Sequence, residues 1–157
     1  MWEAQEELIN LIESNHDTIT EEHVNSMLGR VFGPKTYVEL ENSVLSELKT
    51  TGELKNIIND SIRKKIVALE PIANITRMQE ILVVNECDQG KDIIREDGYF
   101  VKLSSHNSIR NLEILNNPIF GNTLSMYYSE TTNLIERQYP RLKKHLSELA
   151  KMIDNEL

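Results

Sequence analysis

The sequence predicts an α+β domain that is mostly helical, and three observations predict it. Apolar residues recur at three- and four-residue spacing over most of the chain. One stretch, 79–104 (QEILVVNECDQGKDIIREDGYFVKLS), abandons that spacing and reads as strands. The length, 157 residues, is close to the usual size of one domain. The expected layout is therefore a single domain over 1–157, with an acidic helical part at 1–70, a β insert at 79–104 and C-terminal helices at 109–155.

Four helices are expected before the insert. Trp2, Leu8, Ile9, Leu11 and Ile12 share one broad side of a helix over about 3–14, with Glu3, Glu6 and Glu7 near its positive N-terminal end. Thr20 followed by Glu21, Glu22 and His23 reads as an N-cap with acids in the first turn, and Val24, Met27, Leu28 and Val31 form the second stripe until Gly33-Pro34. Pro34 opens a third helix carrying Tyr37, Leu40, Val44, Leu45 and Leu48, which Thr50-Thr51-Gly52 ends. The fourth runs over 53–70 on Leu54, Ile57, Ile58, Ile62, Ile66 and Leu69, and Pro71 is expected to terminate it.

After Pro71, Glu80 to Glu86 (EILVVNE) is a compact, partly β-branched run, and Tyr99 to Leu103 is another. Asp88-Gln89-Gly90 and Asp97-Gly98 are turn signals between them, with a brief pairing at Ile93-Ile94, so an antiparallel hairpin or three-stranded meander is expected. In YFVKL the alternation sends Tyr99, Val101 and Leu103 one way and Phe100 and Lys102 the other. Two or three helices follow: a short element at Ile109–Leu115, a helix over about 122–138 closed by Tyr139-Pro140, and a last one over 141–155. This last helix spaces Leu142, Leu146, Leu149 and Ile153 by four, three and four residues, a seam suited to a partner helix.

The net charge is −8, and Met1 to Glu47 accounts for all of it, with ten acids against two bases; the rest carries fifteen of each sign. An acidic first third disfavours nucleic acid there and suits a basic partner. There is no apolar run of membrane-spanning length, and the N-terminus is acidic where a secretory signal is basic, so a cytoplasmic protein without a membrane partner is expected. Cys87 is the single cysteine, which rules out an internal disulfide and a multi-cysteine metal site.

Few residues carry chemistry. His16, His23, His106 and His145 lack chelating spacing, and no glycine-rich phosphate loop occurs, so neither a metal nor a cofactor is expected. Cys87, between Glu86 and Asp88, sits where acids discourage a thiolate, and reads as a strand-end residue. The acids Glu86, Asp88, Asp92, Glu96 and Asp97 with Lys102 depart from the pattern of nucleases that place an acid two residues before a lysine on one strand, because Phe100 occupies that position. Tyr99-Phe-Val-Lys-Leu-Ser-Ser resembles the lysine-bearing strand of ATP-grasp proteins related to the cell-division-cycle assembly factors. That family continues Ser-Pro-Lys-Asp where this chain continues His106-Asn-Ser-Ile-Arg, the likeness covers seven residues, and no function is carried over.

The functional expectation is a non-enzymatic interaction protein without catalytic residues: a structural component of a larger assembly, with a viral or phage particle as the specific context, or a small regulator docking on a partner. Phe100, Lys102, Leu142, Leu146, Leu149 and Ile153 are the expected contacts to a partner protein or a second copy. One alternative is a winged-helix-like nucleic-acid module using Arg63, Lys64, Lys65 and Arg77 on the basic face of helix 53–70. The other is a small enzyme using the hairpin acids.

Overall fold

The computed structural model describes residues 2–14, 19–33, 43–97 and 111–156. About 89% of these are helical, and among them there is no strand. The order is α1 (Trp2–Glu13), α2 (Glu21–Phe32), α3 (Ser43–Thr50), a 3₁₀ turn (Glu53–Asn56), α4 (Asp60–Asp97), α5 (Asn111–Ile114), α6 (Pro118–Asn133), a π-helical stretch (Leu134–Gln138) and α7 (Tyr139–Asp154).

The expected α+β class is thereby overturned. Residues 79–97, read as the first part of a β insert, lie inside α4, a helix of 38 residues. The burial pattern gives the reason. In the run Ile81-Leu82-Val83-Val84 only Val83 is buried, and the next buried residues are Cys87, Gly90 and Ile94, at spacings of four, three and four. That is one helical stripe, and β-branched composition had masked it. The proposed second strand, with Phe100 and Lys102, lies outside the described residues.

Two prolines expected to end helices do not end them. Pro71 sits within α4 and does not end it. A proline costs a helix the hydrogen bond to the carbonyl four residues back, here Val67, but this one is exposed, and the buried positions resume beyond it at Ala73 and Thr76. Tyr139-Pro140 likewise leaves the helix unbroken. Pro140 has no N–H to offer, and just before it the backbone widens to a π turn, in which the Tyr139 N–H donates to the Leu134 carbonyl.

Other elements follow the sequence more closely. Thr20 caps α2, its hydroxyl accepting the His23 N–H at 3.3 Å, and Val24, Met27, Leu28 and Val31 are all buried. Asn59 caps α4, its side-chain oxygen accepting from the N–H groups of Ser61 (2.9 Å) and Ile62 (3.1 Å). The expected start at 53 is therefore early by one turn of 3₁₀ helix and a short link, in which Ile58 is 97% exposed. Asn117 caps α6, with Pro118 at its first position.

The chain divides into two compact units, Met1–Lys35 with Ile81–Thr132 (unit 1) and Thr36–Glu80 with Asn133–Leu157 (unit 2). Among the described residues unit 1 has the larger core. Phe32 of α2 packs against Phe120 (ring centroids 5.8 Å) and Tyr127 (5.7 Å) of α6, and Leu8, Met27, Leu124, Ile114, Val83 and Ile94 are buried in the same unit. In unit 2 the first part of α4 runs antiparallel to α7, since Asn59 bonds Glu156, Lys65 pairs with Glu148 and Glu80 bonds Tyr139. Among the described residues its buried apolar side chains are Ile62, Ala73, Leu134, Leu142 and Leu149.

Candidate interaction surfaces

In unit 2, α7 divides its predicted seam. Leu142 and Leu149, seven residues apart and therefore nearly one above the other, are 7% and 9% exposed. Leu146 and Ile153 are rotated off that line by about 40° each and are 37% and 40% exposed. The seam thus supplies two core residues and two surface residues. The outer side of the same region is basic: Arg137, Arg141, Lys143, Lys144 and Lys151 are exposed, and none is in an ion pair among the described residues.

The first part of α4 shows a second apolar row that the sequence reading missed. Val67, Pro71, Ile75 and Met78 are exposed at spacings of four, four and three, Met78 at 67%. Reading Pro71 as a terminus had cut this row in half. The basic residues of the same helix do not form one face. Arg63, Lys64 and Lys65 are consecutive, so they point about 100° apart, and Arg77 stands about 21 Å along the axis from Arg63. Arg63 and Lys64 both pair with Asp60, and Lys65 pairs with Glu148. Hydrogen bonds from Lys64 and then Arg63 hold the Asp60 carboxyl below the usual range, and the Lys65 bond does the same for Glu148. His145 donates from Nε2 to the Lys65 carbonyl at 2.8 Å, so it acts as a brace between α7 and α4.

Polar groups gather where the π stretch meets α4. Asn133 donates to the Gln79 side-chain oxygen (2.8 Å), Gln138 donates to Asn133 (3.4 Å) and Tyr139 donates to Glu80 (2.8 Å). They tie the widened backbone in place.

Unit 1 carries the acidic surface. Glu3, Glu6, Glu7, Asn10 and Leu11 share one face of α1, with Ser14 just past its end, and Glu7 is held by Arg30 at 3.1 Å. On the same helix Gln5 is fully buried; its amide donates to the Thr131 hydroxyl (3.2 Å), while its oxygen has no partner among the described residues. A groove of about 420 Å³ lies between Ile9, Ile12 and Glu13 of α1 and the Leu115–Ser125 region.

The acids proposed for catalysis are carried by a helix and not by a hairpin. Asp88, Asp92 and Glu96 are exposed; Asp88 accepts from Lys91 at 2.9 Å and Asp92 pairs with Arg95. The Asp88 bond raises the Lys91 pKa above its ordinary value. Cys87 is buried within α4, not at a strand end. Among the described residues no group of three or more His, Cys, Asp or Glu side chains is placed to hold a metal ion, and no helix is long and apolar enough to cross a membrane. Phe100, Lys102, Tyr99–Ser105, His16 and His106 lie outside the described residues.

No known protein family matches the chain, and no curated protein or solved structure is significantly similar to it.

Proposed function

We propose that this protein is a non-enzymatic interaction protein that docks through the helices of unit 2, as a structural component of an assembly or a small regulator of a partner. One observation carries the reading: apolar surface is unevenly shared between the units. The largest fully buried side chains among the described residues all belong to unit 1, and of the exposed large apolar residues unit 2 carries seven (Ile58, Val67, Ile75, Met78, Ile135, Leu146 and Ile153) against four in unit 1 (Ile81, Leu82, Ile119 and Met126). Exposed apolar rows on helices such as α4 and α7 gain by being covered with another protein. The narrower context of a viral particle rests on no particular residue.

The test is the mass and composition of the protein isolated gently from its native source. The reading expects a stable complex, lost when Leu146→Glu and Ile153→Glu are combined. Isolation of the unmodified chain as a lone monomer at its native concentration would end the reading.

A further inference from the structure

We infer that the outer face of α4 in unit 2 pairs with the same face of a second copy of this chain, antiparallel and about a two-fold axis. This rests on the reading of unit 2 as a docking unit and gives one of its two apolar rows an occupant.

The pairing follows from where each residue stands on the helix. Val67, Pro71, Asn74 and Met78 succeed one another at four, three and four residues, the repeat of a two-helix seam, and all four are exposed. At about 100° per residue, Ala68 and Ile75 fall along one side of this seam and Glu70 and Arg77 along the other. The seam itself carries no charge. Arg77 is exposed and in no ion pair among the described residues, while Glu70 is paired with Lys49 of α3 and keeps 45% of its side chain exposed.

The charges on the flank then select the occupant, the direction and the register. In an antiparallel pair each flank meets the same flank of the other copy. With Val67 opposite the partner's Met78 and Pro71 opposite the partner's Asn74, Glu70 meets the partner's Arg77, and the two-fold axis repeats that pair; Ile75 meets the partner's Ala68. Sliding one copy by a heptad in either direction opposes Glu70 to Glu70 or Arg77 to Arg77, and a parallel pair sets Glu70 beside the partner's Ile75. One register joins apolar to apolar and acid to base, and Asn74, the single polar residue of the seam, favours a fixed register. An acid and a base one heptad apart on one flank thus make this face complementary to itself. The contact is a single helical face, smaller than a standard interface, so its affinity is expected to be about micromolar.

The experiment is sedimentation velocity on the full chain over about 1 to 500 µM. The wild type is expected to pass from monomer to dimer and no further. Arg77→Glu and Glu70→Lys each oppose like charges twice and are expected to weaken the dimer on the order of tenfold or more. An equimolar mixture of the two restores both pairs and should dimerise again. Met78→Glu is expected to abolish the dimer. Far-UV circular dichroism checks folding; should Glu70→Lys fail to fold beside Lys49, the fully exposed positions, Arg77→Glu and Met78→Glu, decide by themselves. A wild type monomeric throughout, a dimer undiminished in Arg77→Glu or Met78→Glu, or a mixture of folded variants that stays monomeric would each overturn the inference. Leu146→Glu with Ile153→Glu, which tests the docking reading on α7, is expected to leave this dimer intact, and its loss there would also overturn the inference. So would a native complex holding a different protein and only one copy of this chain, which leaves the broader interaction reading standing.

Discussion

Gly90 of α4 lies against the ring of Phe32 on α2 so closely that a Cβ at position 90 would overlap the ring. The residue that looked like a turn is a packing site in the middle of a helix. Phe32 cannot easily withdraw, because Phe120 and Tyr127 flank it. Gly90→Ala is therefore expected to destabilise unit 1 by about 1–3 kcal/mol despite alanine's better helix propensity. Urea denaturation followed by the fluorescence of Trp2, the single tryptophan, measures this in unit 1. Adding Phe32→Leu should recover part of the Gly90→Ala loss, a coupling that independent sites would not show.

Gln5 and Thr131 form a buried polar pair between α1 and α6. Removing the hydroxyl alone with Thr131→Val leaves both ends of the Gln5 amide without partners and is expected to cost about 1–3 kcal/mol. Replacing both, Gln5→Met with Thr131→Val, removes the polar atoms together and should return stability to the wild-type value or above it. Chemical denaturation of the three proteins compares them directly; a double variant less stable than the single one would contradict this account.

Pro71 is tolerated in α4 but should not be favourable there. Restoring the missing N–H with Pro71→Ala gains up to about 3 kcal/mol in helix propensity, against which the proline's restriction of the unfolded chain returns about 0.4–1 kcal/mol. A rise of about 1–2 kcal/mol in stability is expected by the same denaturation assay. No rise would mean that the proline's ring contributes packing that its exposure does not suggest.

The ion pairs of unit 2 give it an acid limb. Both Asp60 and Glu148 have carboxyls depressed by neighbouring bases, so their contribution is complete above the ordinary carboxylate range and disappears as pH falls through the depressed values. Urea midpoints should drop between about pH 5 and pH 2, and the combined Asp60→Asn and Glu148→Gln variant should show a shallower drop over that window. An unchanged slope would assign the acid limb to other carboxylates.

Much of unit 1 was legible in the sequence because its signals are local. The Thr20 cap, the stripe of Val24, Met27, Leu28 and Val31, and the Asn117-Pro118 start of α6 need only neighbouring residues to act. The seam of α7 was legible as a spacing, but not which of its residues face inward. The acidic first third was plain, whereas the basic face of α7 was not singled out because the balanced charge of the remaining chain hid it.

The sequence by itself determined where apolar residues recur, where helices are capped and where charge is concentrated, since each depends on spacing along the backbone. Only the tertiary structure decided whether Gly90, Pro71 and Pro140 interrupt a helix. A glycine opposite an aromatic ring is a close contact and not a turn, and a proline breaks a helix only when packing beyond it does not compensate. Such outcomes depend on side chains distant in sequence, such as Phe32 against Gly90, and no local pattern around position 90 records them.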